Sequence, residues 1–442
     1  MKKLILFSAL LGGTLPSLSA QELRRCGNTA LLQQVAQEDP SFAAQRQQRL
    51  SQAHQQALEQ QELPGAAAKS TAQYPIPVVF HVLLSGPEYQ RIGRDTGLIR
   101  RINSQLAVLN ADYSATNADL GRTPGPFQSL IGNAGLQFRL ASGTSAYTIA
   151  PGIEVKTTTN FFTDNTGYAD AKRASQGGLD GWDPTRNLNV WVVATSFGTL
   201  GVAIPPSLVG AVISGHSITT ADLGLVVSHT AFGKREFPQQ YFYPGTNDGG
   251  RTLTHEFGHY FELDHVFGTY AGCSSDDGIA DTPPQDEPTF STGTPMAFPH
   301  YDNCSPSGNG IMFMNFMDYV DDAEMMLFTK GQVARMQYYT APGQASYSLT
   351  QQPLGIAPSM PAAGNLRIAP NPSAGVFQLE NRSERLLSGI QVLDMAGRVV
   401  SRDADLAPQE ARLLDLSSLA KGLYFLQAQS GPETFTRKIV LQ

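Results

Sequence analysis

Cysteine is scarce, 3 in 442 residues, which excludes a scaffold built on disulfides. Positive charge is not in excess either. With 31 Lys and Arg against 38 Asp and Glu, the net charge is -7, so nothing electrostatic favours nucleic acid or an anionic membrane surface as a partner. Long apolar runs are missing: Leu4 to Leu11 is the strongest, and it falls short of the roughly 20 residues a transmembrane helix needs. The 42 Gly and 28 Pro rule out a coiled coil.

What is present divides the chain. Lys2 and Lys3, the apolar stretch Leu4 to Leu11 and the small residues ending in Ser17-Leu18-Ser19-Ala20 read as a secretory signal over 1–20, so the mature protein is exported and can keep disulfides. Over 21–73, 13 of 53 residues are Gln, and Leu31, Leu32, Val35 and Ala36 recur at helical spacing up to Pro64-Gly65. This predicts a helical propeptide or spacer. Ile76 to Leu84, Leu136 to Leu140 and Leu188 to Val193 read as strands and Leu98 to Leu109 as an amphipathic helix, which predicts an α+β catalytic domain with a mixed sheet over 74–342. Residues 343–364, rich in Ala, Pro, Gly, Ser and Gln, read as a linker. Seven short strand-like runs between Leu366 and Leu441 predict a small all-β, immunoglobulin-like sandwich over 365–442.

Chemistry concentrates in H-E-F-G-H-Y-F-E-L-D-H, residues 255–265. On a helix, His255 and His259 stand one turn apart on one face and can grip one zinc ion, with His265 as third ligand and the fourth position open to water. Glu256, beside the metal, is placed to take a proton from that water and return it to a leaving amine. Both His pairs and the Glu coincide by chance in roughly one chain in ten thousand. Asp264 and Glu262 are the alternative oxygen ligands to His265. His54, His81, His216, His229 and His300 have no partner spacing and read as structural or surface residues.

From Tyr74 to Ala341 the sequence resembles the metzincin metallopeptidases of the pappalysin (cytophagalysin) family, on P-V-V-F-H-V-L, the zinc motif, C-S-S-D-D-G-I-A-D-T-P-P and N-F-M-D-Y-V-D-D at 315–322. The resemblance implies a secreted zinc endopeptidase with Met317 as an apolar floor under the metal in a Met-turn and Tyr319 on the oxyanion. It also implies calcium near Asp276, Asp277 and Asp281, although a solvated acidic loop reads equally well. The family's Gly three residues after the second His is Glu262 here, at a turn where positive φ favours glycine. Cys273 and Cys304 pair as a disulfide in an exported protein; a further family half-cystine is replaced near Glu324. Cys26 is then the odd thiol. It is a zinc ligand that could hold a zymogen latent, or a free thiol near a frayed terminus. Asp321 and Asp322 would make the substrate pocket acidic.

The last 78 residues resemble the sorting domain of type IX secretion in Gram-negative bacteria, through Pro370-Asn371-Pro372, Asp394 to Arg398, Gly422 to Leu426 and Lys438 to Gln442. That resemblance implies outer-membrane secretion machinery as a partner and a secreted or cell-surface location. A substrate-binding β-domain is the alternative. For the whole chain, the rivals to a peptidase acting on protein or peptide substrates are a secreted binding protein that keeps the metal fold without turnover, and a zinc amidase or exopeptidase.

Overall fold

The computed structural model describes residues 26–61, 74–160, 162–163, 168–195, 199–235, 247–270, 272–291, 295–341, 343–344, 346–350, 366–383, 386–394, 398–408, 410–430 and 433–442. The predicted signal sequence, the break at Pro64-Gly65 and most of the predicted linker lie outside them. The chain divides into two compact units, Met1–Gln352 and Pro353–Gln442.

The first unit opens with helices α1 (Asn28–Glu38) and α2 (Pro40–Gln61), as the spacing of Leu31 and Val35 predicts. A mixed sheet follows, made of β1 (Tyr74–Leu84), β2 (Leu136–Leu140), β3 (Thr148–Ala150), β4 (Ile153–Thr157), β5 (Leu188–Val193), β6 (Gly201–Ile204) and β9 (Gly224–Ser228) in the order β3-β4-β1-β5-β9-β6, with β2 also on β1. Strands β2, β4 and β5 run parallel to β1, which is why β1 reads as an unbroken apolar run: both of its faces are buried. At one edge, β6 runs antiparallel to β9. A small hairpin, β7 (Val212–Ile213) and β8 (His216–Ser217), lies between them in sequence.

Helix α3 (Arg94–Tyr113) packs on β2, and helix α4 (Arg251–Tyr260) packs on β6, β9 and α3. One core joins Phe80, Val190 and Leu225 of the sheet to Leu253 and Phe257 of α4. Helix α5 (Lys330–Tyr339) starts in a capping box between Thr329 and Gln332, and α2 lies against it. The stretch read as linker begins inside this unit: Ser346, Leu349 and Thr350 are buried, and Leu349 joins the main core. Composition hid this, because one apolar side chain among polar neighbours carries no period.

The second unit has a three-stranded sheet of β10 (Leu366–Ala369), β11 (Val376–Asn381) and β14 (Ala411–Asp415), and a four-stranded sheet of β12 (Ser388–Leu393), β13 (Val399–Arg402), β15 (Gly422–Ser430) and β16 (Glu433–Leu441). All pairings in them are antiparallel, and Phe377, Leu379, Ile390, Val392, Leu426 and Ile439 share one core, the all-β unit the sequence predicts.

Candidate metal centre

All ten residues of α4 are buried, which an exposed polar helix would not allow. Its N-terminus is held by Asp322, whose Oδ2 accepts from the backbone N–H groups of Gly249 at 2.9 Å and Arg251 at 3.1 Å, a carboxylate placed where the helix dipole favours it. Its C-terminus is a Schellman motif: Leu263 N–H donates to Gly258 O at 3.0 Å and Glu262 N–H to His259 O at 2.9 Å. Glu262 takes the left-handed position with φ of +69°, so the helix ends as it would with glycine. Holding a side chain there costs about 1 kcal/mol.

That turn returns the chain so that His265 meets the other two imidazoles. The three Nε2 atoms lie 3.1 Å (His255–His265), 3.1 Å (His255–His259) and 3.0 Å (His259–His265) apart. Three ligands of a tetrahedral zinc ion at about 2.05 Å would stand about 3.3 Å apart, so the set fits zinc with little adjustment. Each Nδ1 has its own partner: His255 donates to Phe316 O at 2.7 Å, His259 to Leu263 O at 2.7 Å, and His265 meets Thr29 Oγ1 at 3.2 Å. Such partners fix the tautomer that leaves Nε2 for the metal. Burial lowers His259 to about 4 and His265 well below its ordinary value, so both stay neutral, the form that ligates.

Cys26 Sγ joins them. Its sulfur and the three imidazoles lie within 4.8 Å of one another, and among the described residues this is the one cluster of three or more His, Cys, Asp or Glu ligand atoms gathered so closely. Glu262 and Asp264, the alternative ligands, are turned elsewhere: the Glu262 carboxylate accepts from Ser207 N at 2.9 Å and Oγ at 2.6 Å.

Glu256 is fully buried beside the cluster, and burial pushes its carboxyl up to about 8, with the Cys26 thiol pulling weakly the other way. Burial and Glu256 together push the Cys26 thiol up. Glu256 lies against β6 so closely that a Cβ on Gly201 would stand 2.7 Å from its Oε1. Tyr319 OH donates to the Cys26 carbonyl at 3.3 Å, and its ring lies 4.9 Å from that of His265. Met317 is fully buried behind Gly258 of α4.

The segment that carries Cys26 covers the edge of β6. Gly27 N–H donates to Gly201 O at 2.8 Å; Asn28 Nδ2 donates to Ala203 O at 2.9 Å and its Oδ1 accepts from Ala203 N at 2.8 Å. A side-chain amide thus does the work of a strand neighbour. A cavity beside Glu256 is lined by Leu200, Thr252, Asp318 and Asp322 among others. Asp318 is buried, is pushed up to about 6 by burial, and accepts from Gln285 and Thr289.

The remaining predicted residues lie outside the cluster of ligand atoms. Cys273 and Cys304 are disulfide-bonded. Asp276, Asp277 and Asp281 are not brought to one point: Asp276 is exposed, Asp277 is buried and accepts from Thr282, and Asp281 is spent on the start of α5, accepting from Thr329 Oγ1 at 2.7 Å and Gly331 N at 2.8 Å. Asp322 lines the cavity, but its carboxylate serves α4; Asp321 is buried, and its N–H donates to Ser291. His81 is a core residue bonded to Glu154 and Asn189. Gly201, Gly258, Asp318, Thr29, Ser207 and Arg46 escaped the sequence reading. Only Gly258, a glycine inside a helix, carried a local signal.

Known proteins resemble this chain over the region that holds the cluster and over its last residues. Residues 217–341 match the family model for pregnancy-associated plasma protein-A, and residues 367–442 match that for a secretion system C-terminal sorting domain. An extracellular metalloprotease 1 of Coccidioides posadasii is 30% identical over 278 residues, 62% of this chain and 80% of that protein, and an extracellular metalloprotease of Arthroderma otae is 29% identical over the same shares. Among solved structures, a mutant of Tannerella forsythia promirolysin is 31% identical with a TM-score of 0.61, covering 74% of this chain and 97% of that one. Mature mirolysin with a cleaved peptide is 33% identical with a TM-score of 0.55, covering 65% and 97%. With the three-histidine cluster at its centre and a sorting domain at its end, this chain belongs to the pappalysin family of secreted zinc metalloendopeptidases.

Proposed function

We propose that the chain is the latent precursor of an endopeptidase in which Glu256 is general base and acid, Tyr319 holds the oxyanion, and Cys26 closes the metal's fourth position until residues 21–73 are removed. The observation that carries this reading is the meeting of Cys26 Sγ with the three His Nε2 atoms. The likeness to promirolysin, which extends over more of this chain than that to the mature form, supports it. So does the covering of the β6 edge, where an extended peptide would find backbone partners once Gly27 and Asn28 have left.

Zinc, when bound, polarises the scissile carbonyl and lowers the pKa of its water to about 7. Glu256, buried and close to the Nε2 cluster, receives a proton from the attacking water at its carboxylate and delivers it to the leaving amine. Tyr319 gains a free hydroxyl when the Cys26 carbonyl withdraws, and turns it to the developing oxyanion. A carboxylate that is not a ligand serves catalysis, which favours turnover over a binding protein with the same fold. Of the three aspartates that calcium would draw on, Asp277 has a buried Oδ2 with no hydrogen-bond partner among the described residues, and Asp276 is exposed. Residues 1–20 direct export, and 365–442 engage the outer-membrane secretion machinery.

The test compares the processed protein with its Glu256→Gln form for bound zinc and for cut sites in a peptide mixture. Zinc in both and cleavage by the parent alone is expected; cleavage by both removes Glu256 from the reaction.

A further inference from the structure

We propose that Glu262, Asp264 and Ser207 form a guanidinium-binding site at the end of α4, which takes Arg46 of α2 and fastens the prosegment independently of Cys26 and the metal. This rests on the reading of residues 26–61 as a latency segment. Arg46 Nη2 lies 3.4 Å from Glu262 Oε2, its Nη1 3.6 Å from Asp264 Oδ1, and its Nε donates to Ser207 Oγ at 2.9 Å. The three charged side chains are 7%, 1% and 7% exposed. Two carboxylates buried two residues apart need a cation, and the planar guanidinium fork meets both while its Nε reaches Ser207.

The site exists because position 262 is not glycine. Glutamate accepts a left-handed backbone there, and in return its carboxylate gains Ser207 N, Ser207 Oγ and Arg46. Leu50, Ala53 and Ala57 continue the α2 contact as buried residues, and Tyr338 OH donates to Gln56 at 2.7 Å. The other anchor is separate: Cys26 and Thr29 meet the imidazoles and Asn28 the β6 edge, with Gln37, Glu38, Pro40 and Ser41 exposed between the two. A cut in that exposed stretch would release α1 and leave α2 seated.

Hydrogen exchange of the full-length precursor, in the Glu256→Gln background to prevent self-cleavage, tests this. Arg46→Ala should speed exchange across residues 40–61 by about a hundredfold, the loss expected when one partner of a buried pair is removed, and leave α4 unchanged. Glu262→Gly should do the same, and the double variant should exchange no faster than either single one. Unchanged exchange in Arg46→Ala, or effects that add in the double variant, overturns the site. Cys26→Ser should loosen 26–38 and spare 40–61; inactivity of a Cys26→Ser precursor with Glu256 intact would sink the latency reading while leaving the α2 result to decide the site.

Discussion

The sulfur of Met317 lies where Gly258 has no side chain: a Cβ on Gly258 would stand 2.5 Å from Met317 Sδ and 3.3 Å from its Cε. The glycine inside the metal helix and the methionine beneath it are therefore one feature. Gly258→Ala gains about 1 kcal/mol of helix propensity and loses about 1–3 kcal/mol to overpacking. The expected outcome is net destabilisation with weaker zinc retention. Denaturant unfolding followed by tryptophan fluorescence reads it, since Trp182 and Trp191 both lie in the first unit.

Cys26→Ser replaces the proposed thiolate ligand by a hydroxyl, a weaker hold on the metal, so that Gly27 and Asn28 should leave the β6 edge more readily. The precursor of this variant should cleave unfolded casein without processing, whereas the parent precursor should not. A variant that stays silent until its prosegment is cut would contradict the cysteine's role.

Asp112 of α3 accepts from Thr254 Oγ1 of the metal helix at 2.8 Å, with Arg251 Nη2 3.6 Å away. Burial raises its carboxyl from 3.8 to about 6, against the opposing pull of Arg251 and Thr254. The folded state thus prefers the protonated acid, so its contribution is complete below about pH 4 and is lost as pH rises through about 6. Asp112→Asn should remove a pH dependence on the order of 2 kcal/mol between pH 4 and 7, seen as parallel rather than converging stability curves if the assignment fails.

Deleting residues 365–442 removes a unit with its own core. Export to the medium should stop while the purified remainder still cleaves peptides; secretion of the truncated chain at the parent's level would refute the sorting role.

Much of this was legible in the sequence because it is local. The i,i+4 pair His255 and His259 needs only a helix, and β1 announces itself by burial on both faces. Strand β6 did not, being four residues long with a glycine that Glu256 demands. Asn28 pairing with Ala203, and Arg46 reaching Glu262 across 216 positions, have no period or spacing to betray them. Asp281 shows the converse: an acidic cluster in sequence whose member is consumed by a helix start.

Zinc-edge X-ray absorption of the full-length precursor, before and after removal of the prosegment, tests the centre most directly. Three nitrogens at about 2.0–2.1 Å and one sulfur at about 2.3 Å are expected in the precursor, with the sulfur replaced by oxygen afterwards. A precursor whose zinc shows no sulfur scatterer, or that binds no zinc, contradicts the account.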